Sequence, residues 1–162
     1  PLTGALNRRV FFESCRKTYA GYLRYQRPFA VLMLDVDHFK RVNDVYGHQA
    51  GDQALVSLAR LCMRSLREND VFCRYGGEEF LILLPHCIKE EGMLKAEKLR
   101  QLIEERKPAA ISVTASIGVS CTVLQQKISF KDLFDAADQA VYKAKRNGRN
   151  NVVFKVPESE GK

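Results

Sequence analysis

Apolar positions along this chain follow two rhythms, one near 3.6 residues and one close to continuous. Residues 5–26, ALNRRVFFESCRKTYAGYLRYQ, carry them at helical spacing. Residues 28–36, PFAVLMLDV, form an apolar run that ends in acid and predict a buried strand. Residues 51–67 read as an amphipathic helix. Residues 70–75 and 78–84, DVFCRY and EEFLILL, predict two strands joined by Gly76-Gly77. A two-residue glycine link predicts a tight hairpin, because both positions can take positive φ. Further on come a helix over 89–106, a strand rich in β-branched residues over 111–124, a helix over 130–148 ended by Gly148, and a closing strand over 151–156. The order αβαββαβαβ predicts an α/β (α+β) fold, a mixed five-stranded sheet flanked by helices. It excludes the strict βαβ alternation of a doubly wound sheet.

With 162 residues the chain suits one domain, expected over 1–156, with PESEGK at 157–162 reading as a disordered tail. The stretch FAVLML is far too short to span a bilayer, and no signal peptide is visible. Five cysteines (15, 62, 73, 87, 121) are odd in number and lack a CxxC pair. That argues against a disulfide framework or a zinc site, and for small core residues in a reduced, cytoplasmic setting. The net charge of +7 suits nucleic acid, an anionic membrane or phosphorylated small molecules. No continuous basic and aromatic surface is legible, so nucleic acid and direct membrane contact are not expected.

The chemistry-bearing residues are acidic. Glu78 and Glu79 stand where a strand enters the core, and adjacent carboxylates lose solvation and repel there. Either they lie at a surface turn or a cation compensates them. Asp35 and Asp37 share one face by strand alternation, with Val36 opposite. Both could cap the following turn. Both could equally share a divalent ion with the hairpin glutamates, and hard oxygen donors favour Mg²⁺ or Mn²⁺. Alternation sends Glu78 and Glu79 to opposite faces, so only one is expected to be a ligand from a regular strand. Glycines at a turn let a phosphate approach the backbone.

At these residues the chain resembles the GGDEF-domain diguanylate cyclases in their GGEEF variant. The resemblance runs through LTGALNRR, LDVDHFKRVNDVYGHQAGD, RENDVFCRYGGEEF, SIGVS and AVYKAKRNGRN, in that order. It implies a palm-like sheet, similar to class III nucleotidyl cyclases. It implies condensation of two GTP into cyclic di-GMP and two diphosphates, across a homodimer in which each domain holds one GTP. Asp35, the Val36 carbonyl and Glu78 are implied as metal ligands, and Glu79 as the second acid beside the reacting hydroxyl. The resemblance favours Asp35 over Asp37. Asn43 and Asp52 are implied as guanine readers, although either alone reads as a helix cap. Lys40, Lys145 and Arg149 are implied as phosphate ligands, aided by backbone N–H groups around His38 and Phe39 and by the open backbone of Gly76 and Gly77. Lys145 and Arg149 alone read as a basic helix end.

Arg67-x-x-Asp70, separated from Gly76 by five residues, matches the family's inhibitory product site, with Lys98 in the place of a secondary basic contact. Alone it reads as a helix-terminal ion pair. The role of Arg74 stays open. The family's opening Asp is missing before Pro1, and Ala5 stands for its Leu. The expectation is a domain detached from an N-terminal regulatory region. Two other functions compete: a GTP- or cyclic di-GMP-binding regulatory module without turnover, and a basic nucleic-acid-binding palm-like domain.

Overall fold

A computed structural model describes residues 4–124 and 126–159. The last three residues of the expected tail lie outside the described residues. The sheet has the order β2-β3-β1-β4-β5, with β1 (Phe29–Val36) at its centre. β3 (Glu79–Pro85) and β4 (Ala115–Cys121) run antiparallel to β1 on either side. β2 (Val71–Arg74) pairs antiparallel with β3, and β5 (Val152–Phe154) pairs parallel with β4. Strand β1 takes the centre because it is apolar on both sides, and all eight of its residues are buried. Alternation splits them: Ala30, Leu32 and Leu34 join one core, and Phe29, Val31 and Met33 join the other.

The first core is closed by α3 (His48–Arg64) and α4 (Lys89–Arg106), through Leu55, Leu58, Leu99 and Ile103. The second is closed by α1 (Arg8–Tyr25) and α5 (Phe130–Arg146), through Phe11, Leu133 and Ala137. Asn7 caps α1 and Ser129 caps α5, each accepting a hydrogen bond from an early helical N–H. Gly118 of β4 lets α5 lie almost on the strand: a Cβ there would sit 2.1 Å from the Ala137 carbonyl oxygen. That close approach carries the end of α5 over the ends of β1 and β3.

Several expectations are corrected. An additional helix, α2 (Phe39–Tyr46), follows β1. Helix α3 begins at His48, three residues before the expected start, and ends at Arg64. Strand β4 is confined to Ala115–Cys121, because residues 108–110 form a 3₁₀ turn and 111–114 run irregularly into the strand. Strand β5 covers only Val152–Phe154. The hairpin is not a two-residue turn: β2 ends at Arg74, β3 starts at Glu79, and neither glycine has positive φ. Among the described residues no helix is long and apolar enough to cross a membrane.

Candidate active site

Asp35 is the penultimate residue of β1 and pairs directly across the ladder with Glu79, the first residue of β3. Both continue the face of Phe29, Val31, Met33, Leu81 and Leu83, the face that α5 covers. Lys145, in the last turn of α5, places its Nζ 2.6 Å from Asp35 Oδ2. Asp35 is 7% exposed. Burial raises its carboxyl above the ordinary value, against the opposing pull of Lys145 and Arg149. Glu79 is also raised, first by burial and then by the charges of Asp35 and Glu78. Asp138, which the sequence reading missed, adds to that repulsion.

The site is thus an acidic cluster drawn to one ammonium group. Its oxygen donors suit a hard divalent cation, and Lys145 acts as the positive charge that the carboxylates require. With Asp35 turned to Lys145, no three acidic, His or Cys side chains among the described residues converge on one ion position.

Glu78 lies in the turn, outside the ladder, so strand alternation does not govern it. Its backbone oxygen accepts the Val36 N–H at 3.1 Å, which fixes the turn against the end of β1. Arg74 braces the same turn, donating to the Gly76 carbonyl at 3.2 Å and, through Nη2, to the Gly77 carbonyl at 2.6 Å. Neither glycine is demanded by the fold. A Cβ at Gly76 would make ordinary contacts of 3.6 Å, and one at Gly77 would meet nothing within 4 Å.

Asp37 differs from Asp35 despite sharing its face. Its carboxylate accepts from Ser116 Oγ at 2.6 Å, Thr114 Oγ1 at 2.7 Å and the Asn150 N–H at 3.0 Å. Filled by donors, it is a structural acceptor.

Helix α2 follows His38, whose backbone is left-handed, with Phe39 buried and Lys40 exposed in the first turn. Asn43 presses on α3: a Cβ at Gly51 would lie 1.9 Å from Asn43 Oδ1. Asp52, the next residue, is exposed in the second turn of α3 and is therefore no helix cap. Among the described residues neither the Asn43 amide nor the Asp52 carboxylate has a hydrogen-bond partner. The α2–α3 junction thus brings an amide and a carboxylate together with their polar edges available. Arg149 sits in the turn after α5, exposed, with φ of 66°.

Arg67 and Asp70 form a self-contained turn. Asp70 accepts the Arg67 N–H at 2.7 Å, and the Arg67 guanidinium donates to the Pro85 carbonyl at 2.9 Å. The ion pair itself is long, 3.5 Å, and the Asp70 side chain has no exposed surface. Lys98 is exposed on α4. Lys95, one turn earlier, donates to the Ser65 carbonyl. Its ammonium is pushed down by burial and then by the charge of Lys98. The sequence reading missed Lys95, although its spacing from Lys98 on one helix was a visible signal.

These features define a palm-like α+β domain with an acidic site at the ends of two adjacent strands. The chain belongs to the GGDEF-domain diguanylate cyclase family: residues 1–151 match the family described as diguanylate cyclase, GGDEF domain. It is 34% identical over 160 residues to the probable diguanylate cyclase DgcT of Escherichia coli, covering 96% of this chain and 35% of that protein. Diguanylate cyclase SiaD of Pseudomonas aeruginosa, solved with its activator SiaC, superposes with a TM-score of 0.87 at 39% identity, over 95% of this chain and 60% of that one. The active GGEEF domain of a diguanylate cyclase from Vibrio cholerae superposes with a TM-score of 0.87 at 34% identity, over 94% of this chain and 98% of that one. The chain thus spans about a third of the length of curated relatives such as DgcT.

Proposed function

We propose that this chain is a diguanylate cyclase domain that condenses two GTP into cyclic di-GMP and two diphosphates. The observation that carries the reading is the pairing of Asp35 with Glu79 across β1 and β3, beneath Lys145. Asp35, the Val36 carbonyl, Glu78 and Glu79 would hold Mg²⁺ or Mn²⁺. When bound, the ion supplies charge neutralisation for the triphosphate and for the in-line displacement. Lys40, Lys145 and Arg149 bind the outer phosphates, and the lack of side chains at Gly76 and Gly77 leaves room for the nucleotide beside the turn. The glycines' independence of local packing supports this role, since their reason then lies outside the chain. Asn43 and Asp52 read guanine: aspartate accepts from N1–H and the exocyclic amine, a pattern adenine does not offer.

The product joins two nucleotides symmetrically, so two domains face each other in an isologous pair. In each, the 3′-oxygen attacks the partner nucleotide's α-phosphorus, a P–O bond forms, and diphosphate leaves with the electron pair of the broken bond. The 3′-hydroxyl proton passes to a nearby base.

Arg67 and Asp70, with Lys98, serve as the product site. Arginine meets the guanine O6/N7 edge once it leaves the Pro85 carbonyl, and that displacement makes product binding weak relative to a preorganised site.

The test is product analysis after incubating the chain with GTP and Mg²⁺ at high protein concentration, with pyrophosphatase present. Cyclic di-GMP is expected, at a rate per monomer that rises with protein concentration, and Asp35→Asn or Glu79→Gln lowers it about a hundredfold or more. Synthesis that survives both substitutions would overturn the site assignment. GTP binding without product would favour the regulatory module.

A further inference from the structure

Arg149 and Asn150 have φ of 66° and 49°, two consecutive non-glycine residues in the left-handed region. Such backbone is unfavourable and persists where surrounding contacts over-determine it, which is commonly at a working site. The contacts here converge on Asn150 from three sides. Its N–H donates to Asp37 Oδ2 at 3.0 Å. Its side-chain oxygen accepts from Arg100 Nη1 of α4 at 2.9 Å, and its side-chain amide donates to Glu104 at 2.6 Å. The preceding N–H, that of Arg149, returns to the Ala144 carbonyl at 3.0 Å. Asp37 is itself immobilised by Thr114 and Ser116 and is 4% exposed.

None of these bonds involves the Arg149 guanidinium. Among the described residues it has no hydrogen-bond or ion-pair partner. The Arg149 backbone is tied to the Ala144 carbonyl, next to Lys145, whose ammonium reaches Asp35 at 2.6 Å. The anchoring therefore fixes the backbone and leaves the charged end available beside the acidic cluster.

We propose that Asp37 is a positioning residue: its buried carboxylate, with Arg100 across Asn150, locks the left-handed turn and so aims Arg149 at the phosphates of a bound nucleotide. A long side chain aimed in advance loses less freedom on binding. Without the lock the turn relaxes toward ordinary backbone, and the guanidinium swings off the site. The target of Arg149 rests on the function proposed above, whereas the lock rests on the protein alone.

The test compares Asp37→Asn, Arg149→Ala and the double variant by two measurements. One is calorimetric affinity for GTP carrying an α,β-methylene bridge, with Mg²⁺. The other is NMR hydrogen exchange at the Asn150 amide without nucleotide. Arg149→Ala is expected to weaken binding about tenfold, the loss of a charge-assisted contact. Asp37→Asn is expected to weaken it about fivefold, and the double variant no more than about twofold beyond Arg149→Ala, because the two residues act as one unit. Exchange at Asn150 is expected to quicken about tenfold or more in Asp37→Asn. Thr114→Ala frees the same carboxylate oxygen, is expected to move both readings the same way about threefold, and decides the matter if Asp37→Asn does not fold. Unchanged exchange at Asn150 in the folded variant would overturn the lock. Losses that simply multiply in the double variant would overturn its action through Arg149. If the wild-type chain does not bind the analogue, the nucleotide reading fails, and the exchange measurement still decides the lock.

Discussion

Glu79 sits where its own charge is unwelcome. Burial, Asp35 and Glu78 all favour its protonated form. A carboxyl whose proton affinity rises on folding stabilises the fold at low pH and loses that contribution as pH climbs through its raised titration range. Stability of the metal-free protein should therefore fall as pH rises just above the usual carboxylate range. Glu79→Gln should flatten that slope and raise the melting temperature at pH 7 by on the order of 1–2 °C, while activity is lost. Calorimetric scans from pH 4 to 8 check this, and an unchanged slope would contradict it. Added Mg²⁺ should raise the melting temperature more at pH 8 than at pH 5, since protons compete for the same oxygens. A shift independent of pH would argue against carboxylate ligands.

The elements that build the site depend on close approach. At Gly118 a methyl group would meet both the Ala137 carbonyl oxygen and the Val141 nitrogen, backbone atoms that cannot rotate away. Gly118→Ala should cost about 3 kcal/mol by forcing α5 from β4. Denaturant titration measures that cost, and a loss under 1 kcal/mol would mean the helix shifts freely. The same packing explains what could be read from the sequence. The strands, the long helices and the acidic strand ends were legible, because β1 and β3 are nearly unbroken apolar runs whose ends are marked by Asp35 and Glu79. Helix α2 was not, because it is only eight residues long and buries only Phe39 and Val42, too short a stretch for helical spacing to stand out from a loop. Nor could alternation tell Asp35 from Asp37. The difference lies in Thr114, Ser116 and Asn150, which are distant in sequence and meet Asp37 only after folding. The hairpin misled for a related reason: Arg74 holds the turn by its carbonyls, so the glycines need no positive φ.

For the whole molecule, all five cysteines are buried. Burial pushes the Cys15 and Cys62 thiols up to about 12 and those of Cys73 and Cys87 up to about 11. Thiolate is the reactive form, so a thiol reagent at pH 8 should label none of them in the native protein and all five in guanidinium. Fast labelling of one cysteine in native buffer would reveal local opening. Activity is expected at the scale above the single chain. An isolated domain loses the full entropy of association when it pairs, so turnover per monomer should fall on dilution.

The register that sets Asp35 opposite Glu79 also sets Leu34 opposite Phe80 and Met33 opposite Leu81. Sliding β3 by one residue would part the acids and turn its apolar side chains to the wrong cores at the same moment. Misalignment of the site is thereby made a folding error, and the core proofreads the chemistry before any ligand arrives. It also divides the chain into places where length can vary and places where it cannot. An added residue in the turn between Arg74 and Glu79 leaves the register and the cores intact but disturbs the turn that Arg74 and the Glu78 carbonyl tie down, whereas one inside either strand removes the fold together with the site.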